Sequence, residues 1–438
     1  MKRLILKVFS IISIIMLFLT FHKIYGFEFG FGVKSFVKKV IEKGQQEGKI
    51  KKEEGEGEGG EKYYDVEWVK YLDKNNSEAD SGTNLAIDKS GNIYVSGTYI
   101  DSSVSKNYIV LAKFSPTAGK KQWEKNIEGD ASDICWGVAV DPSGEYVYIT
   151  GNTFGDYFDG VLCRGNGDIF LTKYDSNGNK LWTKVFGVDG SYEAGYNITV
   201  DNSGNVYIVG ATNGSFDTGE HQGGFDGFLA KLDSNGNILW IKQIGTSKDE
   251  ECWGVGTDSS GNVYVTVISS SSQGLGGLLI KYDSEGGKIW EKTFEKEGPL
   301  DLTVDSSGNI YVTGSWLDVS ALKIFLAKYD TSGDQQWIKY NIVPGCVGLG
   351  VAVDITGVYV TGSAWPVPTK KFVTIPTPGV TLVLAKYFLD GKEQWTTMEG
   401  GYCGLGIRVD SSSNIYITGS TTTTGSNSDI FLMKLRAK

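Results

Sequence analysis

Acidic side chains recur at one position of this 438-residue sequence. The position lies eight residues before an aspartate that itself recurs along the chain, and its occupants are Asp80, Asp133, Glu193, Glu250 and Glu297. Carboxylate oxygens grouped in a ring are good ligands for calcium, but single carboxylates also cap the amides of turns. The pattern therefore predicts either a Ca²⁺ site or a set of turn caps, and the sequence predicts no other cofactor.

Aromatic residues that do not recur in every repeat form a second group that could take part in binding. Tryptophan is enriched in binding surfaces because its large rigid ring buries much area at a small entropic cost. The residues that we expect to form a ligand-binding surface are Trp136, Trp253, Trp316, Trp365, Tyr157 and Phe158. Of these, Trp136 and Trp253 share one register, five residues before the recurring aspartate. The alternative is that the rings only cover apolar strand ends.

Residues for catalysis are scarce. The histidines are His22 and His221, and the sequence has no Ser-His-Asp set, histidine-rich metal motif or phosphate-binding loop. Paired carboxylates of the glycosidase type would not be visible in a sequence. A non-enzymatic binding or scaffold module is therefore the favoured interpretation. A carbohydrate-active hydrolase or lyase is the first alternative, and a structural subunit of an envelope layer is the second.

Charge and cysteine content narrow the class of partner. The net charge is −10, whereas a nucleic-acid-binding protein needs a basic face. We expect an extracellular polymer or a protein as partner, and no nucleic acid. The cysteines are Cys135, Cys163, Cys252, Cys346 and Cys403, an odd number that leaves at least one without an intramolecular partner, and their spacing does not decide any pairing.

The first 63 residues differ from the rest of the chain. Residues 1–26 combine a basic start with an apolar run from Val8 to Phe21, which is typical of a signal peptide. An uncleaved signal anchor is the alternative and would be the only attachment to a membrane. Residues 27–63 are a charged linker rich in Gly, Glu and Lys, with a short helix predicted over Val33 to Lys43. These features predict a secreted or cell-envelope protein.

From residue 64 to residue 438 the chain repeats one pattern seven times. The unit Asp-x-Ser-Gly-Asn-x-Tyr-Val-x-Gly begins at Asp88, Asp141, Asp201, Asp258, Asp305, Asp354 and Asp410. A recurring lysine follows in all seven units and a recurring tryptophan in the first six, and turn residues bound four short strands. This organisation predicts an all-β fold, a seven-bladed β-propeller of four-stranded antiparallel blades. The periodic tryptophans and lysines are expected to pack between blades.

The two ends of the repeat region complement each other. The region opens with a tryptophan strand, Val66 to Leu72, and closes with a third strand, Asp429 to Leu435, that no tryptophan strand follows. We therefore expect the N-terminal strand to complete the last blade and close the ring. Closure of this kind pairs edge groups that would otherwise be exposed.

One stretch of the repeat resembles a known family. The segment VDNSGNVYIVGATN…DGFLAKLDSNGNILW, from Val200 to Trp240, is similar to the bacterial β-propeller repeat called SBBP. The resemblance covers about residues 64–438 and implies an exported or surface propeller, without implying a particular chemistry. The segment from Ala230 to Trp240 also resembles the tryptophan-docking motif of quinoprotein dehydrogenases. Those enzymes usually have eight blades and often a vicinal cysteine pair, which this sequence lacks.

Overall fold

The structure is a computed structural model that describes ten stretches of the chain. They are residues 63–72, 80–101, 106–164, 166–216, 221–271, 274–317, 322–340, 346–364, 380–421 and 428–437. The predicted signal peptide, the linker up to residue 62 and Trp365 lie outside the described residues. No helix in the described stretches has the length and apolar character that crossing a membrane requires.

Seven antiparallel sheets of four strands each make up the fold. The innermost strands are β2 (Ser81–Ile87), β6 (Asp133–Val140), β12 (Glu193–Val200), β16 (Asp249–Thr257), β20 (Glu297–Val304), β24 (Cys346–Asp354) and β28 (Tyr402–Val409). The second strands are β3 (Ile93–Asp101), β7 (Tyr146–Thr153), β13 (Val206–Thr212), β17 (Val263–Ser271), β21 (Ile310–Leu317), β25 (Gly357–Ala364) and β29 (Asn414–Thr421).

The remaining strands complete each blade outwards. The third strands are β4 (Lys106–Phe114), β10 (Asp168–Asp175), β14 (Asp226–Leu232), β18 (Gly274–Tyr282), β22 (Leu322–Tyr329), β26 (Thr381–Tyr387) and β30 (Ile430–Ala437). The outermost strands are β5 (Lys121–Ile127), β11 (Lys180–Phe186), β15 (Ile238–Ile244), β19 (Lys288–Phe294), β23 (Gln335–Tyr340), β27 (Glu393–Gly400) and β1 (Tyr64–Leu72). A small hairpin of β8 (Tyr157–Phe158) and β9 (Val161–Leu162) follows the second strand of blade two.

The seven innermost strands form a closed ring. Each of them contacts the innermost strands of both neighbouring blades, including the first and the last blade. The chain is therefore a seven-bladed β-propeller with a central channel, as the repeat predicts. The Asp-x-Ser-Gly-Asn turns and the turns between third and fourth strands share one face, which we call the turn face. The longer connections share the other face, which we call the loop face.

The N-terminal strand closes the ring. In blade seven, β1 lies antiparallel to β30, with Tyr64 opposite Ala437 and Leu72 opposite Ile430. The side chains of Tyr64 and Leu72 are buried. This pairing confirms the closure predicted from the unequal ends of the repeat region.

The recurring aspartates build the turn face through local hydrogen bonds. The Asp88 carboxylate accepts from the amides of Ser90 and Asn92, each at 2.9 Å, and from the Tyr94 hydroxyl at 3.2 Å. Equivalent bonds recur at Asp201, Asp258, Asp305 and Asp410. The repeat aspartate is therefore a turn-forming residue.

Periodic lysines and tryptophans join successive blades. Trp123 Nε1 and Lys113 Nζ of blade one both donate to the Ser176 carbonyl of blade two, at 3.2 and 2.9 Å. Gly178 in the same turn has a positive φ, and a Cβ there would lie 2.9 Å from the Trp123 ring. The lysine bond recurs from the next blades to the carbonyls of Ser234, Ser284 and Thr331. The predicted packing of these residues between blades is confirmed.

Candidate functional site

Every innermost strand contains a bulge at the same position. The residues at which the register with the second strand shifts are Thr83, Trp136, Tyr196, Trp253, Leu300, Leu349 and Leu405. Each lies five residues before the turn aspartate, in the half of the strand nearer the loop face. A bulge residue leaves the ladder and re-aims its side chain. Because the innermost strand borders the channel, this side chain can point into the channel mouth.

Contacts between blades that are not neighbours show that these side chains do point inwards. The rings of Trp136 in blade two and Trp253 in blade four lie 6.3 Å apart, edge to face. Tyr196 of blade three stacks on Trp253 at 4.4 Å and meets Trp136 at 5.8 Å. We call these three residues the aromatic wall. The structure thus brings together two of the sequence-predicted tryptophans and adds a tyrosine.

A second tier of rings backs the aromatic wall. Tyr192 lies 5.8 Å from Phe154 and 5.8 Å from Phe225, and all three pack in the same small apolar cluster as the wall. This cluster is separate from the seven larger apolar clusters between and within blades. The blade cores therefore do not depend on it for their own continuity.

The other side of the channel carries aliphatic residues in the same register. Leu300, Leu349 and Leu405 of blades five to seven are half-buried bulge residues, and we call them the aliphatic wall. Thr83 takes the position in blade one. The mouth is therefore lined by aromatic rings on one side and by smaller side chains on the other.

A polar layer follows the bulges towards the turn face. Asn84 Nδ2 of blade one donates to Asn197 Oδ1 of blade three at 3.4 Å, again between blades that are not neighbours. In blade five, Asp301 accepts from the Val351 amide at 3.0 Å. Burial raises the pKa of Asp301 to about 6, although the positive charge of Arg408 in blade seven opposes the rise. Below the two walls, towards the turn face, hydrogen-bonding groups therefore replace the large apolar side chains.

Glu251 is the acidic residue that accompanies the aromatic wall. Its Oε2 accepts from Trp253 Nε1 at 2.9 Å. Burial raises the pKa of Glu251 to about 7, and the negative charge of Asp249 adds to the rise, whereas the bond from Trp253 opposes it. Burial raises the pKa of Tyr192 and Tyr196, and the negative charge of Glu251 adds to the rise. The residue as a whole is half-buried.

The acids predicted from the eight-residue spacing hold the loop connections. Glu250 accepts from the Thr246 amide at 2.8 Å and from the Ser269 hydroxyl at 2.9 Å. Glu193 accepts from the Val188 amide and the Thr212 hydroxyl, and burial raises the pKa of Glu193 to about 7.

The other three acids of this set also accept hydrogen bonds. Asp80, Asp133 and Glu297 accept from the Ile100 amide, the Gly129 amide and the Tyr340 hydroxyl, respectively. Within the described residues no group of three or more His, Cys, Asp or Glu side chains is arranged to hold a metal ion. Calcium binding by these acids stays a prediction.

The other predicted aromatic residues lie elsewhere. Trp316 packs in a core cluster of blades four and five, with its ring 4.3 Å from Tyr340 and with Lys323 Nζ 4.9 Å from the ring centre. Phe158 is buried 4.5 Å from Phe170, in the core between blades one and two. Tyr157, beside it, is 52% exposed.

The cysteines form no disulfide in the described stretches. All five lie in those stretches, so no disulfide joins any two of them.

Sequence reasoning missed Tyr196 and Glu251. Tyr196 carried a usable signal, because it shares the five-residue spacing of Trp136 and Trp253. Glu251 carried none, since the acidic spacing selects its neighbour Glu250.

Comparisons with known proteins agree with the repeat architecture. A family model described as a β-propeller repeat, SBBP, matches residues 67–98 and 181–217. No curated protein matches the sequence. Similar solved structures include polysaccharide lyase Uly1, with 11% identity over 82% of this chain and 90% of that one and a TM-score of 0.49.

Two further solved structures are similar to a comparable extent. Hydrazine synthase from Kuenenia stuttgartiensis shows 10% identity over 81% of this chain and 96% of that one, with a TM-score of 0.48. The β-propeller domain of the trilobed protease from Pyrococcus furiosus shows 13% identity over 82% and 94%, with a TM-score of 0.45. The chain is therefore a seven-bladed β-propeller, and two of its segments are similar to the SBBP β-propeller repeat.

Proposed function

We propose that this protein is an exported binding module that takes a polymer or a protein at the loop-face mouth of its central channel. The observation that carries the proposal is the contact between Trp136 and Trp253 on one side of the channel mouth, on bulges where three other blades have leucine. Large rings that the repeat does not require are typical of recognition surfaces. Export rests on the signal-like residues 1–26.

A paired substitution tests the proposal. Trp253→Leu gives blade four the residue that blades five to seven already have, so the bulge should survive. Leu349→Met on the aliphatic wall is the matched control. Both variants and the wild type are screened on glycan and peptide arrays, and thermal melting checks that each is folded. We expect binding that Trp253→Leu loses and Leu349→Met keeps. Equal binding by Trp253→Leu and the wild type would refute the proposal.

One observation favours the carbohydrate-active enzyme as a second candidate. A glycosidase acid needs a raised pKa so that it holds a proton at neutral pH, and burial raises the pKa of Glu251 to about 7. Hydrolase or lyase activity against a panel of polysaccharides that Glu251→Gln abolishes would establish this candidate. Polysaccharide binding without turnover would leave the binding module in place.

A further inference from the structure

Glu251 lies in an apolar and acidic setting. The indole of Trp253 donates to one carboxylate oxygen, and the nearby rings are those of Tyr192 and Tyr196. The nearest charge that acts on the carboxyl group is that of Asp249, which is also negative. Among the ion pairs of the described residues, none includes Glu251. The carboxylate therefore lacks a compensating cation within the described part of the protein.

An ionised carboxylate out of bulk water is costly unless a charged partner meets it. Burial raises the pKa of Glu251 to about 7, so the group is largely ionised at pH 8 and mostly protonated at pH 6. A ligand cation at this position would restore the charged form. The residue is only half-buried, so part of its surface is open to a ligand group.

The adjoining rings suit a cation as well. Trp253 is half-buried, and one face of its indole is covered by Tyr196 at 4.4 Å. A cation over the face of an indole ring is attracted by the ring quadrupole. The same quadrupole offers nothing to an anion. An aromatic ring and a carboxylate in contact therefore form a complementary corner for a basic group.

The charge of the whole protein favours the same kind of ligand. The net charge is −10, and the only charged side chains in residues 1–26 are basic, so the remaining chain is more acidic still. An acidic mouth raises the encounter rate of a cationic partner and repels a polyanion. A neutral sugar would cover the rings but leave the carboxylate without a counter-charge.

We propose that the ligand group bound at the channel mouth is a lysine or arginine side chain of a protein partner, held between the Glu251 carboxylate and the Trp253 indole. This inference rests on the proposed binding function and specifies its partner. The basic side chain enters from the loop face. The aromatic wall contacts its aliphatic stem, and Glu251 pairs with its charged end.

The experiment uses defined probes. Capped pentapeptides Gly-Gly-X-Gly-Gly, with X as lysine, arginine or norleucine, are titrated into the full-length protein at pH 8 and low salt. Binding is followed by calorimetry and by the indole N–H signals of Trp253 and Trp136. Norleucine keeps the stem and removes the charge. We expect the basic peptides to bind at least tenfold more tightly than the norleucine peptide.

Matched variants separate this site from general attraction to an acidic protein. Glu251→Gln keeps a carbonyl acceptor for the Trp253 indole and removes the charge, and we expect it to weaken the basic peptides at least tenfold. Glu285→Gln makes the same charge change on the turn face of the same blade, where Glu285 is exposed, and should change affinity less than twofold. Trp253→Leu serves as the second variant if Glu251→Gln proves unfolded.

The results that would overturn the inference differ from those that would overturn the proposed function. Equal binding of the lysine and norleucine peptides, equal effects of Glu251→Gln and Glu285→Gln, or no peptide binding would each refute a basic ligand group. Cellohexaose and chitohexaose are titrated in parallel. Sugar binding that Trp253→Leu removes and Glu251→Gln leaves unchanged would uphold the binding module and refute the basic partner.

Discussion

The aromatic wall and the aliphatic wall share one backbone and differ in their side chains. Both arise from the same bulge, in the same register with the second strand. Blades two to four place tryptophan and tyrosine there, whereas blades five to seven place leucine. The backbone therefore does not demand a large ring at this position. The repeat decides where a side chain points, and the individual residue decides what it can bind.

The largest expected effect comes from removing β1, the strand that closes the ring on which both walls lie. Deletion of Tyr64–Leu72 exposes the edge of β30 and removes two fully buried side chains, those of Tyr64 and Leu72. At about 1.5–3 kcal/mol for each such side chain, the loss exceeds about 3 kcal/mol. Urea unfolding should show this loss of stability when the deletion variant is compared with a control chain that begins at Tyr63 and keeps the strand. A midpoint equal to that of the control would mean that this strand does not support the ring.

The next effect separates the two walls. Trp136 is buried and donates to Asn152 Oδ1 at 2.8 Å, so Trp136→Leu removes both packing and a hydrogen bond. We expect a loss of about 2–3 kcal/mol. Leu349→Ala on the half-buried aliphatic wall should cost less, about 1 kcal/mol. The measurement is the free energy of unfolding of each variant. A larger loss in Leu349→Ala than in Trp136→Leu would contradict this expectation.

The pH dependence of stability gives a smaller effect that is confined to the aromatic side. Since the pKa of Glu251 is raised from 4.5 to about 7, the folded protein binds more protons than the unfolded chain between those values. The stability therefore falls as pH rises through this window, and the full cost is present above pH 7. At about 1.4 kcal/mol per pKa unit, reduced because the group keeps accessible surface, Glu251→Gln should stabilise the fold by about 1–2 kcal/mol at pH 8.

The same variant should have little effect at pH 4, where the glutamate is protonated in both states. Glu193 and Asp301, whose pKa values are also raised, add to the slope of the wild type and remain in the variant. Thermal melts of wild type, Glu251→Gln and Glu285→Gln at pH 4 and pH 8 provide the measurement. A variant no more stable than the wild type at pH 8 would show that Glu251 is ionised without strain.

Calcium should produce the smallest effect. Each acid of the eight-residue pattern already accepts a hydrogen bond from the protein, as Glu250 does from Thr246 and Ser269. Binding at a concentration equal to Kd would add about 0.4 kcal/mol. We therefore expect 5 mM CaCl₂ to change the melting temperature by less than a degree. A rise of several degrees, absent with MgCl₂, would establish a cation site at these acids.

The fold was predictable because its signals are local and repeated. Turn aspartates such as Asp88, interblade tryptophans such as Trp123 and the unequal ends of the repeat region each act through nearby residues or a fixed period. The site was predictable only where it shared that period, as for Trp136 and Trp253. Its other contacts join blades 50 or more residues apart in sequence, as between Asn84 and Asn197, and depend on how the ring closes.

The sequence did not reveal the position of Glu251 or the burial of Phe158, and the physical causes differ. Glu250 and Glu251 are adjacent, and in a strand neighbouring side chains point to opposite sides, so the spacing rule chose the residue that binds a loop. Phe158 belongs to a short hairpin that folds back onto β10 and buries the ring against Phe170. The length of this connection does not reveal that its hairpin packs against the blade.

The pairing of β1 with β30 also governs the order in which this molecule can mature. β1 opens the repeat region and its partner β30 closes it, so the whole repeat region must be made before the two strands can pair. Contacts that join distant parts of a chain form slowly and late. The ring therefore stays open until β30 has been added, and a chain truncated before β30 cannot close it.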